Sequence, residues 1–471
     1  MGPVMNKREK GPLSKGVSPR EVSSAIWALC NVLRDDGVVF HKYMSELTYL
    51  LFLRVAEQTG REDGLPKGMR WRDLAGHLCL GLVGFYRKLL TSLGEDAVDP
   101  LVREIFGFPT TVFSHDENLY KVVRGISAID WSVMPEQAFG LIYESLLERN
   151  ATEARAGAGQ YFTPRALVDC MVRMVAPRPG ELVQDPSTGT GGFLCSAHDY
   201  VVARHGVEAG FAQAYEGIEI ERDTYRLCLM NMYLHGMAGR IVHGDALTDD
   251  ALALSRPDVV LANPPFGSAA GGARARRDDL TLRSSNKQLM FLQHVYLGLK
   301  DGGRAAVIVP DSVLFDTGAG RRARTELMQT CDLHTVLRLP QGIFYAPGVN
   351  TNVLFFDKTG PTSAVGFYDM RTDAPRLNRR SPLTADAFAA FERACSREPC
   401  IAERMHADPR FTTVDRATIA SAGDDLDQIS RSRCTGSGFD EGRVVELLGS
   451  MSARMTACLS RLEELERELL V

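Results

Sequence analysis

The chain has 471 residues, 45% of them hydrophobic and 24% charged, with a formal net charge of −5. One hydrophobic core does not organise a chain of that length, so two or three domains are expected, and the composition is that of a soluble globular protein. The acidic balance excludes a protein that coats nucleic acid by bulk charge, while leaving local basic patches or a basic partner open. No apolar run reaches membrane-spanning length, and the head, residues 1–20, is polar and rich in Gly, Lys and Pro, without the apolar core of a signal peptide. A cytoplasmic protein with no membrane contact is expected. The ten cysteines form no CxxC pair and no Cys/His cluster at zinc spacing, which reads as reduced thiols and no metal site.

In chain order, residues 1–20 read as a disordered head and 21–150 as a helical N-terminal domain. Apolar residues recur there at helical spacing through Ile26, Leu29 and Leu33, and again through Leu47, Leu50, Leu51 and Val55. Residues 151–370 change character, with short apolar strands alternating with helices. Strands are predicted at 181–184, 217–220, 240–243, 259–262, 305–309, 335–339, 352–356 and 365–368. The late ones follow each other too closely for crossover helices, so an antiparallel edge on a mostly parallel sheet is expected. Residues 371–440 read as an irregular linking region; the Pro399-Cys400 dipeptide in it has no Gly-rich partner and reads as chance. In 441–471, Leu448, Met451, Met455, Cys458, Leu462, Leu465 and Leu469 form a heptad seam. A helix of this kind can pack on its own domain or make a coiled coil with another chain.

The strand at 259–262 delivers Asn263-Pro264-Pro265-Phe266 at its carboxyl end, where open α/β sheets place ligands. Two prolines stiffen the turn and remove its donors. A side-chain amide, a free carbonyl and an aromatic face then suit a planar heterocycle with an exocyclic amine. The first strand runs into Asp185-Pro186-Ser187-Thr188-Gly189-Thr190-Gly191-Gly192, a Gly-rich turn opening a helix. It lacks the Gly-Lys-Ser/Thr of a P-loop and the spacing of a dinucleotide fingerprint. Its acid suits an amine-bearing ligand such as the methionine end of S-adenosylmethionine. Glu219, ending the second strand, is placed for two ribose hydroxyls, and Asp245, ending the third, for an adenine amino group. Singly these are ordinary strand-end acids; in this order they form a series. Upstream, Gln160-Tyr161-Phe162-Thr163-Pro164-Arg165 precedes a helix, with Thr163 a good N-cap and Pro164 at its first position.

These segments, with 231–236, resemble those of amino-group DNA methyltransferases, and more narrowly the modification (M) subunits of type I restriction–modification systems. The likeness extends over about 20–370, including residues 22–54, 299–315 and 337–358, with Pro340-Gln341-Gly342 and Asn350-Thr351-Asn352. It implies an S-adenosylmethionine-dependent methyltransferase fold: a Rossmann-like, mostly parallel sheet between the helical domain and the C-terminal helix. It implies an adenine-N6 methyltransferase whose Gln160 to Arg165, Gly189 to Gly192, Glu219 and, less directly, Asp185 and Asp245 hold the cofactor. Asn263, Pro264, Pro265 and Phe266 would form the pocket for a flipped adenine. The partners implied are double-stranded DNA, a specificity (S) subunit, a second copy of the chain in an assembly of two M subunits with one S subunit, and an optional restriction (R) subunit. One stretch does not align: residues 267–287, with Arg274, Arg276, Arg277, Arg283 and Lys287, could be a basic loop that orders on DNA. Two rivals stay open: a methyltransferase of protein glutamine or rRNA guanine, whose targets are also planar amides or amines, and a silent scaffold that only binds cofactor and DNA.

Overall fold

The structure is a computed structural model. It describes residues 18–35, 38, 40–135, 137–153, 163–268, 277–344, 350–371, 383–395 and 408–427. The expected cofactor residues Gln160, Tyr161 and Phe162, the basic residues Arg274 and Arg276, and the heptad helix of 441–471 lie outside the described residues.

The N-terminal part is helical. Its first helix, Pro19–Leu29, is started by a capping box in which Ser18 and Glu21 satisfy each other's backbone donors, with Pro19 at the first position. Helices Phe40–Gln58, Leu82–Asp96, Asp116–Ser127 and Gln137–Glu153 follow, the last leading toward the α/β part.

Nine strands among the described residues form one sheet in the order β3-β2-β1-β4-β5-β7-β6-β8-β9. They are β1 (Leu182–Asp185), β2 (Ala214–Glu219), β3 (Arg240–His243), β4 (Val259–Ala262), β5 (Arg304–Pro310), β6 (Asp332–Arg338), β7 (Thr351–Asp357), β8 (Ala364–Asp369) and β9 (Phe411–Asp415). β1 to β5 are parallel. The chain order reverses between β1 and β4, which makes their carboxyl ends the switch point of the sheet. The late strands bring the expected antiparallel pairing. β7 lies antiparallel inside the sheet between β5 and β6, and β8 pairs parallel with β6. The antiparallel edge is β9, from the region that reads as irregular in sequence. Leu426 N–H donates to the Leu314 carbonyl and Arg324 donates to the Val313 and Asp424 carbonyls, so residues 408–427 are bound to the same body.

Strand periodicity explains the two cores. In β4, β5 and β7 the residues Val259, Leu261, Ala306, Ile308, Val353 and Phe355 face one cluster, and their neighbours Val260, Ala262, Ala305, Val307, Leu354 and Phe356 face another. The first cluster runs on into the N-terminal helices without a break. The Phe52 and Tyr233 rings meet at 4.7 Å, and Arg226 donates to the Tyr49 hydroxyl at 2.6 Å, joining Phe40–Gln58 to the helix Arg222–Leu234.

At the switch point, Gly217 of β2 stands opposite Asp185 of β1. A Cβ there would collide with Thr188 Oγ1 and lie 3.0 Å from the Asp185 carbonyl. Gly217→Ala is therefore expected to destabilise the protein by about 1–3 kcal/mol through overpacking. Urea unfolding checks this; unchanged stability would mean that the Gly-rich turn shifts freely.

Candidate functional site

Four strand ends and one helix entry build the site. The turn after β1 is fixed from both sides. Thr188 N–H donates to the Ile218 carbonyl at 3.1 Å, and its hydroxyl lies within reach of the Ile218 and Asp185 carbonyls. Gly189 and Gly191 take positive φ, 56° and 81°, which favours glycine at both, and Gly191 is the N-cap of the helix Gly192–His205. A Cβ on Gly191 would reach within 2.9 Å of Cys228 Sγ, whereas one on Gly192 would meet nothing within 4 Å. The underside of the turn is packed and its outer side is open. Asn231, on the helix Arg222–Leu234, donates to the Thr190 carbonyl at 3.0 Å and holds the far end of the turn.

Glu219 is 6% exposed. Its Oε2 accepts from Gly189 N–H at 2.9 Å and its Oε1 from Glu221 N–H at 2.8 Å, so the β2 acid braces the β1 turn. Burial raises its pKa, against these backbone hydrogen bonds. Asp185, 1% exposed, accepts from Ser187 N–H at 2.9 Å; burial lifts its pKa to about 7, with the Glu219 charge acting the same way. Asp245 is half-buried, and its Oδ1 accepts from Leu247 N–H at 2.9 Å.

Asn263 follows β4. Its Nδ2 donates to Thr163 Oγ1 at 2.9 Å, and its Oδ1 is buried with no hydrogen-bond partner among the described residues. Pro264 is buried, and Phe266 packs edge-to-face on Phe344, with ring centroids 6.2 Å apart and planes at 86°. Sequence reasoning did not place Phe344, two residues after the Pro340-Gln341-Gly342 run, beside this turn.

Two expectations need correction. Thr163 does not cap the following helix. That helix is Arg165–Val175, with Pro164 as an N-cap that makes no side-chain bond, and the Thr163 hydroxyl goes to Asn263 instead. Arg277 is not an exposed basic side chain. It is 8% exposed, holds Asp279, donates to the Ala246 carbonyl at 3.2 Å and meets His294, whose pKa burial lowers to about 3. Arg283 is exposed and pairs with Asp278.

Arg165, expected among the cofactor contacts, sends its guanidinium to three carboxylates: Asp169 at 2.7 Å, Asp199 at 2.9 Å and Glu144 of the helix Gln137–Glu153. Cys195 and His235 lie beside Glu144, with ligand-type atoms within 4.8 Å. Because Arg165 already holds Glu144, this group reads as an ion-paired knot between helices.

A mostly parallel sheet with a Gly-rich turn, a buried strand-end acid and an Asn-Pro-Pro-Phe turn at its switch point is the arrangement of a class of methyltransferase that acts on amino groups. Residues 135–426 match the family described as N-6 DNA Methylase. The chain is 41% identical over 408 residues to the type I restriction enzyme EcoKI methylase subunit of Escherichia coli K12, covering 80% of this chain and 77% of that one. It is 42% identical, with the same coverage, to the StySJI methylase subunit of Salmonella typhimurium. Among solved structures, the EcoKI M protein is 35% identical with a TM-score of 0.51, covering 86% of this chain and 89% of that chain. The type I methyltransferase subunit from Streptococcus thermophilus shares the fold, with a TM-score of 0.74 at 20% identity over 87% of this chain and 98% of that one. The chain belongs to the N-6 DNA methylase family, as a methylase subunit of the type I restriction enzyme kind.

The buried acids make the site sensitive to pH. A carboxyl whose pKa is higher in the folded state takes up a proton on folding. Its contribution is complete below about pH 4 and is lost as pH rises through about 7. Asp185→Asn keeps an acceptor for Ser187. Its stability relative to the natural protein, measured by urea unfolding without cofactor, is therefore expected to rise by about 1–3 kcal/mol from pH 5 to pH 8. A flat difference would place the Asp185 carboxylate in a solvated setting.

Proposed function

We propose that this adenine-specific DNA methyltransferase uses Asn263, Pro264, Pro265 and Phe266 to hold a flipped adenine. Thr163, Pro164, Asp185, Gly189, Thr190, Gly191, Gly192, Glu219 and Asp245, with residues 160–162, would hold S-adenosylmethionine. The observation that carries the reading is the buried Oδ1 of Asn263, without a hydrogen-bond partner among the described residues, on a stiff turn at the switch point. A buried acceptor left unsatisfied costs free energy, so it favours a ligand that donates to it.

S-adenosylmethionine supplies an electrophilic methyl on a sulfonium. The open outer side of the Gly-rich turn, where Gly192 leaves room for a close approach, and the acids Glu219 and Asp185 fit that ligand. Asn263 Oδ1 and the Pro264 carbonyl would accept the two hydrogens of the target N6, turning its lone pair out of conjugation and toward the methyl. Transfer then needs positioning and a matched dipole more than a strong base, and the surplus proton leaves to water after the N–C bond forms. Phe266, its ring held by Phe344, would stack on the extruded base and offset part of the few kcal/mol needed to unstack it.

In this reading the chain works in the cytoplasm on double-stranded DNA. It is joined to a specificity subunit and a second copy of itself, with a restriction subunit as an optional addition. No described helix is long and apolar enough to cross a membrane. Asn263→Ala is expected to lower tritium transfer to DNA by about 100-fold or more while leaving S-adenosylmethionine affinity by calorimetry nearly unchanged. Substantial residual transfer would reject the role given to the amide.

The heptad segment is assigned to the specificity subunit on its narrow apolar seam alone. Deleting residues 443–471 is expected to leave cofactor binding intact and to weaken co-purification with that subunit. A truncated chain that assembles normally would place the contact elsewhere.

A further inference from the structure

The Asn263 amide has two ends of nearly equal shape and opposite polarity. Only one orientation suits the reaction: Oδ1 must meet the incoming amine, because Nδ2 there would set donor against donor. Nothing in the amide itself chooses between them, so the choice falls to whatever the inner end touches. That contact is the Thr163 hydroxyl, 100 residues away in sequence, which accepts from Nδ2 at 2.9 Å. The outer Oδ1 is left without a partner among the described residues.

A hydroxyl carries one hydrogen and two lone pairs, so it can accept from Nδ2 or, with the amide turned over, donate to Oδ1. The productive orientation is therefore fixed only when the hydroxyl hydrogen has another acceptor. Thr163 is built for that use. It makes no helix cap, its neighbour Pro164 is the N-cap of the following helix, and it belongs to the segment proposed above to hold S-adenosylmethionine. Its position is fixed two residues on, where Arg165 grips Asp169, Asp199 and Glu144.

We propose that Thr163 is a positioning residue, whose hydroxyl accepts from Asn263 Nδ2 while giving its hydrogen to the cofactor side and so turns Oδ1 toward the adenine amine. The proposal rests on the Asn263 reading above. It makes cofactor loading and acceptance of the base two effects of one hydroxyl.

The test uses the full chain assembled with its specificity subunit and unmodified genomic DNA. Thr163→Val keeps the branched shape and removes the hydroxyl; Thr163→Ser keeps the hydroxyl. At saturating cofactor and DNA, Thr163→Val is expected to lose about tenfold in turnover, the worth of one oriented hydrogen bond. Cofactor affinity by calorimetry should fall as well, because the same hydroxyl donates to the cofactor side, and Thr163→Ser should recover most of both the affinity and the turnover. Full turnover in Thr163→Val overturns the proposal. So does a loss confined to cofactor affinity, which would give Thr163 to the cofactor alone, or an equal loss in Thr163→Ser, which would give the effect to methyl packing. Asn263→Ala in the same assay separates the two readings. If that variant still turns over, the Asn263 reading fails; if it is inactive while Thr163→Val is normal, only the positioning role fails.

Discussion

The carboxyl edge of the sheet depends on how closely β1 and β2 approach, and that approach depends on the missing side chain of Gly217. With only a hydrogen at that position, Thr188 fits against the end of β2, and the Gly-rich turn is stapled to the Ile218 carbonyl. The turn is then near enough for Glu219 to reach back and accept from Gly189. The acid proposed to meet a ribose therefore also shapes the Gly-rich turn. Glycines at 189 and 191 complete the arrangement through their positive φ rather than through flexibility.

Close packing has an electrostatic cost. Asp185 and Glu219 are both buried, which raises the proton affinity of each, and the Glu219 charge raises that of Asp185 further. Backbone N–H groups satisfy part of that demand, but Asp185 near neutral pH still sits between its two protonation states. A ligand bringing an ammonium group and two hydroxyls offers what this pair lacks, and water offers it less well.

The Asn-Pro-Pro-Phe turn, the Gly-rich turn and the two strand-end acids were legible because each is local: the strand and the chemistry it presents are adjacent in sequence. What joins them was not. The Thr163–Asn263 bond spans 100 residues, and Thr163 followed by Pro reads by local rules as a helix cap. Phe344 reaches the site through packing that no spacing announces. Arg277 looked like part of a basic run, and only the fold shows the Ala246 carbonyl and Asp279 that bury it. β9 escaped because its five residues, Phe-Thr-Thr-Val-Asp, are half polar, as an edge strand covered on one side can be. The nearness of the late strands was visible, but the insertion of β7 between β5 and β6 is a pairing choice made in three dimensions.

The helical N-terminal part could pass for an attachment to a complete enzyme. Its packing argues otherwise. It shares one continuous core with the sheet, and its Glu144 supplies one of the carboxylates that hold Arg165. Removing that carboxylate would leave a guanidinium with fewer partners, two residues from the hydroxyl that touches Asn263. Glu144 thereby ties the helical part to the start of the helix Arg165–Val175, two residues from the hydroxyl that accepts from Asn263.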